Sequence, residues 1–232
     1  MQLLKKWLPV NIFTFSPAMA LSVLDDKLWF PPAVNATSDG LLAIGGDLSE
    51  KRLLLAYRNG IFPWFENSLP LWWCPDPRFV LYPSELKISK SMKQVIRSNQ
   101  FQFTINNCFE NVIRNCKKVK RDLDGTWITD EMEKAYIHLH KKNYAFSAEA
   151  WQNEKLVGGL YGIRLGKIFF GESMFSKVSN ASKFAFIQYV QQLIKEDARL
   201  IDCQLYTNHL ESLGARMIPR EQFLELLKVY IV

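Results

Sequence analysis

Apolar and polar positions along this chain change their period near Arg78. Before it, GGDLSEKRLLLAYRNG predicts one helix over about Glu50–Arg58. Leu53, Leu54 and Tyr57 form its apolar face, and Lys51, Arg52 and Arg58 its polar one. Asp47 or Ser49 suits the N-cap, and Gly60 lies just past the end. Residues 1 to about 28 have no clear period and predict an irregular lead-in, followed by an extended Phe30-Pro31-Pro32. Ile61–Arg78 is dense in aromatics and prolines and predicts a packed loop that closes a small first domain (1–78). From Phe79 the pattern is α/β. Strands are predicted at Phe79–Tyr82, Phe101–Ile105, Ala145–Trp151, Lys155–Ile163, Lys167–Glu172 and Leu200–Leu205. Helices are predicted over Ser89–Ser98, Phe109–Cys116, Thr129–Lys142, about Ala181–Glu196 with Asn180 or Ser179 as cap, Leu210–Leu213 and Glu221–Tyr230.

Three polar residues interrupt these apolar runs. Asp202 and Gln204 are two apart in Leu200–Leu205, so an alternating strand points both the same way. Glu172 ends the run that begins at Ile168. A carboxylate there is costly to bury unless it is paired or hydrogen-bonded. Such a cluster reads either as buried groups satisfied by backbone, or as the floor of a pocket with perturbed proton affinities. Cys203 falls on the opposite strand face and reads as a small core residue.

Charge adds a partner class without naming one. The 29 Lys and Arg exceed the 23 Asp and Glu of this 232-residue chain, for a net +6. That suits a phosphate-rich partner but does not demand one. The run Lys117–Arg121 reads as solvated surface or as a contact to RNA backbone. Cys74, Cys108, Cys116 and Cys203 form no C-x-x-C pair or zinc spacing, and His138 and His140 sit i, i+2 in a helix, on different sides. No metal site and a reducing, cytosolic setting are expected. The N-terminal MQLLKKWLPVNIFTFSPAMA is interrupted by Pro9 and Asn11, which argues against a signal peptide, and no run nears the ~18 apolar residues of a membrane span. Gly45-Gly46 is a tight turn before a helix rather than a phosphate loop.

Meander, helix, strand, helix is the order of an N-acetyltransferase-like (GNAT) α/β fold. Where that fold places a glycine-containing pyrophosphate loop, this chain has SKVSNASKF, without glycine. The donor is therefore expected not to be a CoA thioester, or CoA is held differently. The blocks GLLAIGGDLS, LLLAYRNGIFPWF, LWWCPDPR, GTWIT, GGLYG, FFGESMFS, NASK and LIDCQ…HLESLGA, running from about Phe30 to the end, resemble the leucyl/phenylalanyl-tRNA–protein transferase family. The resemblance implies a small N-terminal domain and a GNAT-like catalytic domain (79–232), with no metal or CoA. It implies transfer of Leu or Phe from tRNA to an N-terminal Arg or Lys, which marks the acceptor protein for degradation. Asp202 and Gln204 are then the catalytic pair, with Glu172 beside them. Trp64 and Trp127 flank the 3′-terminal adenosine, with Tyr57 and Tyr136 nearby. Leu160 and Phe169 line the donor side-chain pocket. Some members have Asn where Thr207 stands.

The chemistry so implied is attack of an α-amine on an aminoacyl ester, which needs a held amine, a proton acceptor and donors for the oxyanion. Asp202 or water is the expected proton acceptor, because the amide of Gln204 is a poor base. Glu172 and Asp202 together suit a cationic acceptor residue. A monomer with no membrane partner is expected. A CoA-dependent N-acetyltransferase and a non-catalytic tRNA-binding module are the competing readings.

Overall fold

Proline and tryptophan decide the first domain in a way that the apolar pattern does not show. The computed structural model describes residues 21–65, 69–119 and 128–231. Most of the lead-in, Lys120 and Arg121 of the basic run, and Trp127 lie outside the described residues. Strands β1 (Ser22–Leu24), β2 (Leu41–Gly45), β3 (Phe62–Pro63) and β4 (Leu71–Trp73) form a four-stranded sheet in the order β1-β2-β4-β3. The end of the lead-in is thus a strand, and the Trp-rich segment is not only a packed loop. Its strands are two and three residues long, too short to show a period. Pro63 is tolerated because β3 is an edge strand. The indole of Trp72 donates to the carbonyl of Gly45 at 2.8 Å, and that of Trp73 to Trp64 at 2.7 Å, which ties β4 to its neighbours. Helix α1 spans Glu50–Arg58, capped by Ser49, whose hydroxyl accepts from Arg52 N–H at 3.4 Å.

The second sheet has seven strands in the order β11-β5-β10-β9-β8-β7-β6. These are β5 (Arg78–Leu81), β6 (Gln102–Ile105), β7 (Ala145–Gln152), β8 (Lys155–Leu165), β9 (Ile168–Ser176), β10 (Leu200–Gln204) and β11 (Arg216–Ile218). β7, β8 and β9 make the expected antiparallel meander. Three-residue β11, absent from the sequence reading, covers the outer edge of β5. The helices are α2 (Lys90–Arg97), α3 (Phe109–Lys118), α4 (Asp130–Lys141), α5 (Ala181–Lys195), α6 (Asn208–Glu211) and α7 (Arg220–Tyr230). The protein is therefore mixed α/β with a small N-terminal domain.

Alternation along the strands gives the sheet two apolar faces. Leu160, Phe169 and Ile201 pack on one side with Phe184, Ile187 and Val190 of α5. Tyr161, Phe170 and Val80 pack on the other with Val112 of α3, Tyr136 of α4 and Phe223 of α7. Leu42, Trp72 and Tyr57 of the first domain belong to that second group, so its core runs unbroken between the two sheets.

The parallel pair β9–β10 is the feature that opens a site. Pairing covers only Ile168–Phe170 with Leu200–Asp202, whereas β9 continues to Ser176. Beyond that register the strands part. β10 also carries a bulge between Asp202 and Gln204 against β5, and Gln204 has φ of 62°. Asn180, expected with Ser179 to cap α5, sits at φ 67° and its side chain makes no cap bond. In the first turn of α5 the Ser176 hydroxyl accepts from Ser182 N–H at 3.2 Å, and the Val178 carbonyl from Ala181 N–H at 3.3 Å.

Gly162 lies at a bulge of β8 facing β9, where a Cβ would stand 2.1 Å from the carbonyl oxygen of Phe170 and 2.5 Å from the Phe169 ring. Gly162→Ala is expected to destabilise the fold by about 1–3 kcal/mol or more, read as a lower midpoint in urea unfolding.

Candidate active site

The residues singled out on β9 and β10 meet in one buried cluster beneath the first domain. Asp202 is fully buried, and Arg78, the first residue of β5, reaches it. The Arg78 guanidinium donates from Nε to Oδ1 at 2.8 Å and from Nη2 to Oδ2 at 2.7 Å, a bidentate bridge. Its carbon stands 4.7 Å from the Phe62 ring centre and 4.6 Å from that of Phe223. The cation is thus held between β3 of the first domain and α7 of the second. Burial, the largest single influence, weakens the guanidinium's hold on its proton, but the Asp202 charge and the hydrogen bonds to it, with smaller contributions from nearby groups, together outweigh this and hold the group above its ordinary value. Asp202 Oδ1 also accepts from Gln204 N–H at 2.9 Å, across the bulge.

Glu172 has a different environment. Its Oε1 accepts from the Tyr57 hydroxyl at 2.8 Å and from Gln204 Nε2 at 2.8 Å, and its Oε2 accepts from the Tyr136 hydroxyl at 2.9 Å. The two hydroxyls also touch each other. All three donors are neutral. Burial pushes the carboxyl up to about 7, and the nearby Asp202 charge adds to this, against the three hydrogen bonds that favour the anion. Tyr57 and Tyr136 are pushed well above the usual phenol range, first by burial and then by the Glu172 charge, so they stay hydroxyl donors.

The sequence-predicted set divides on this geometry. Asp202, Gln204 and Glu172 come together, the first and last joined through Gln204. Tyr57 and Tyr136 join them from α1 and α4, with rings fully buried and no face open for a base to stack on. Trp64 is half-buried, its ring 5.7 Å from that of Trp73. Trp127 lies outside the described residues. Leu160 and Phe169 are buried on the opposite sheet face, where Phe169 packs edge-on to Tyr189 of α5 at 4.9 Å. Lys117 of the basic run is held by Asp130 and Glu133, bridging α3 to α4. Sequence reasoning missed Arg78. The available signal was a cation abutting the apolar run Phe79–Tyr82, at the end of CPDPR.

Past the fork in the sheet, a cleft of about 440 Å³ is lined by Ser176, Lys177, Asn180 and Lys183 with His209 from α6. Thr207, expected as a departure, caps α6 by accepting from Leu210 N–H at 3.2 Å. Among the described residues, no group of three or more His, Cys, Asp or Glu side chains converges as a metal site would, and no helix is long and apolar enough to cross a membrane.

The fold is mixed α/β, with a buried acid–amide cluster at the parting of two parallel strands. The family described as leucyl/phenylalanyl-tRNA protein transferase matches residues 80–228, and its N-terminal domain matches residues 46–76. A protein of that name from Flavobacterium johnsoniae is 57% identical over 203 residues, covering 87% of this chain and 96% of its own length. One from Syntrophobacter fumaroxidans is 53% identical over 206 residues, covering 88% of each. Among solved structures, a GCN5-related N-acetyltransferase-like protein from Streptococcus suis aligns over 73% of this chain and 65% of its own, at 12% identity and a TM-score of 0.37. The L-PGS of Bacillus licheniformis aligns over 72% of this chain and 54% of its own, at 14% identity and a TM-score of 0.40. The chain belongs to the leucyl/phenylalanyl-tRNA–protein transferase family, and with it to the aminoacyltransferases.

The raised proton affinity of Glu172 has a signed consequence. Its folded value of about 7 lies above the ordinary 4.5, so the folded state binds the proton more tightly than the unfolded chain. Stability from this group is fully present below pH 4.5 and is lost as pH rises to about 7. The loss is on the order of 3 kcal/mol. Urea unfolding of Glu172→Gln, measured across the same range, should lack that decline.

Proposed function

We propose that this protein moves Leu or Phe from the 3′ end of an aminoacyl-tRNA to the α-amine of proteins that begin with Arg or Lys, marking them for degradation. It acts as a monomer in the cytosol. The observation that carries the reading is the hydrogen bond from Gln204 to Glu172, a buried carboxyl whose proton affinity lies near neutrality, in a chain of net charge +6. That combination offers a proton acceptor to an amine and a basic exterior to an RNA.

The amine nitrogen attacks the ester carbonyl carbon, the carbon–nitrogen bond forms, and the bond to the 3′-oxygen breaks. The amine gives up a proton and the 3′-oxygen gains one. Because the Gln204 amide nitrogen is committed to Glu172, its carbonyl oxygen is the end that orients the incoming amine. Glu172 takes the proton. The sequence reading gave that task to Asp202 or water, but both Asp202 oxygens are engaged by Arg78, and protonation would cost the bridge. A carboxyl of about 7 matches an α-amine of about 8 well enough to exchange a proton near neutral pH. Tyr57 and Tyr136 support this by holding Glu172, in place of the adenosine contact expected of them. Trp64, with Trp127, offers an aromatic surface for the terminal adenosine, and the acidic cluster favours a cationic first residue on the acceptor.

Leucyl-tRNA and a peptide beginning with Arg should yield the leucyl-peptide, whereas acetyl-CoA should give no product. Absence of leucine transfer by the wild-type protein would overturn the assignment. Gln204→Ala is expected to slow transfer about ten-fold or more, ~1.4 kcal/mol in barrier. Trp64→Ala should raise KM for aminoacyl-tRNA by the worth of one stacked base, ~1–3 kcal/mol. Its urea midpoint should stay near wild type, and a variant that unfolds would remove Trp64 from the RNA contact.

A further inference from the structure

We infer that Arg78 is a positioning residue for the transfer step, acting through Asp202 on the conformation of Gln204. The inference rests on the Gln204–Glu172 reading above and adds a residue that touches neither substrate nor Glu172.

Four observations connect in a line. Arg78 grips both oxygens of Asp202, at 2.8 and 2.7 Å. Asp202 Oδ1 in turn accepts from the backbone N–H of Gln204 at 2.9 Å. That bond spans the bulge of β10, where Gln204 takes a φ of 62°, a region that side-chain-bearing residues rarely enter. Nothing about glutamine favours this conformation, so the surroundings must hold it. Two contacts do so, the bond from Asp202 and a three-residue turn in which Leu205 N–H donates to the Cys203 carbonyl at 2.7 Å, and the result aims Gln204 Nε2 at Glu172 Oε1, 2.8 Å away. Without the bulge the chain would continue as plain β-strand, and the amide would be directed by ordinary alternation alone.

Of the two, the bond from Asp202 is the one that a side chain controls, so what fixes Asp202 bears on Gln204. A planar fork bonded through two nitrogens is fixed in orientation on the carboxylate, and the Phe62 and Phe223 rings lie against it at 4.7 and 4.6 Å. A lysine would keep the charge but lose both the fork and the stacking. The first domain thereby enters the active site indirectly, through Phe62 of β3. In this account Asp202 is an orienting acceptor.

A kinetic cycle tests the connection. Arg78→Lys keeps a cation beside Asp202, so the buried carboxylate is not left uncompensated. It is expected to lower kcat about ten- to a hundred-fold, with KM for aminoacyl-tRNA within about two-fold and the protein folded by urea titration. The same substitution placed on Gln204→Ala should produce no further loss, because the residue through which Arg78 acts is already gone. An equal loss in both backgrounds would show a general structural role and overturn the inference, as would a wild-type kcat for Arg78→Lys. If Arg78→Lys does not fold, Asp202→Asn takes its place. It breaks one arm of the bridge while keeping an Oδ1 acceptor, with the same two outcomes deciding. Gln204→Ala at full rate would instead sink the transfer mechanism itself, a result separable from the other two.

Discussion

A buried ion pair with one member on each of two antiparallel strands constrains everything near the site. Arg78 and Asp202 lie 124 positions apart in sequence and share two hydrogen bonds with no exposed surface. Such a pair is weak evidence for stability, because removing two charges from water costs about as much as their attraction returns. Its effect is on uniqueness. Breaking one side leaves a charge stranded in the core, about 3–5 kcal/mol, so any arrangement that separates β5 from β10 is heavily penalised. The flanking Phe62 and Phe223 extend that penalty to β3 and α7. One guanidinium thereby couples the small domain, the large sheet and the last helix, in agreement with the apolar core that runs between the two sheets.

The two carboxylates of the cluster have different partners, and the difference follows from topology. Asp202 stands where β10 still pairs with β9 and β5, next to a fixed cation. Glu172 stands two residues past the last position of β9 that pairs with β10, where its hydrogen-bond donors among the described residues are two hydroxyls and an amide. A cation neutralises a buried charge outright, whereas neutral donors soften the burial cost without cancelling it. Hence the carboxyl pushed up to about 7 is Glu172, the one beyond the fork. Two acids in contact with the same glutamine can hold a shape and exchange a proton, one task each.

The legible parts of the sequence were those whose information is local. The meander, predicted over Ala145–Glu172 and found to run on to Ser176, the helix after it and the strand from Leu200 follow from period alone, and Asp202, Gln204 and Glu172 stood out because each breaks an apolar run. The strands of the first domain and β11 did not, since the two or three residues of β1, β3, β4 and β11 carry no period, proline masked β3, and the five residues of β2 are a continuous apolar run without alternation. The parts of the site that escaped depend on long-range choice. No local pattern says that Tyr57 of α1 and Tyr136 of α4 converge on one carboxylate, or that Arg78 belongs to Asp202. The same-face argument for Asp202 and Gln204 assumed an unbroken strand, but the bulge between them breaks it. They nevertheless share one cluster, because the displaced backbone of Gln204 is held by Asp202 itself.

The parting of β9 from β10 also bears on which donor the fold accepts. A pyrophosphate cradle at α5 would need free N–H groups in its first turn. One of these, from Ser182, is already taken by the Ser176 hydroxyl at 3.2 Å. SKVSNASKF needs no glycine for a left-handed turn, since Asn180 reaches a φ of 67° without one. An anion at that helix end would have to displace the Ser176 hydroxyl from the Ser182 N–H. A donor that brings its acyl group on an RNA end makes no such demand. Its charge is spread along a backbone that a basic surface can meet at many points.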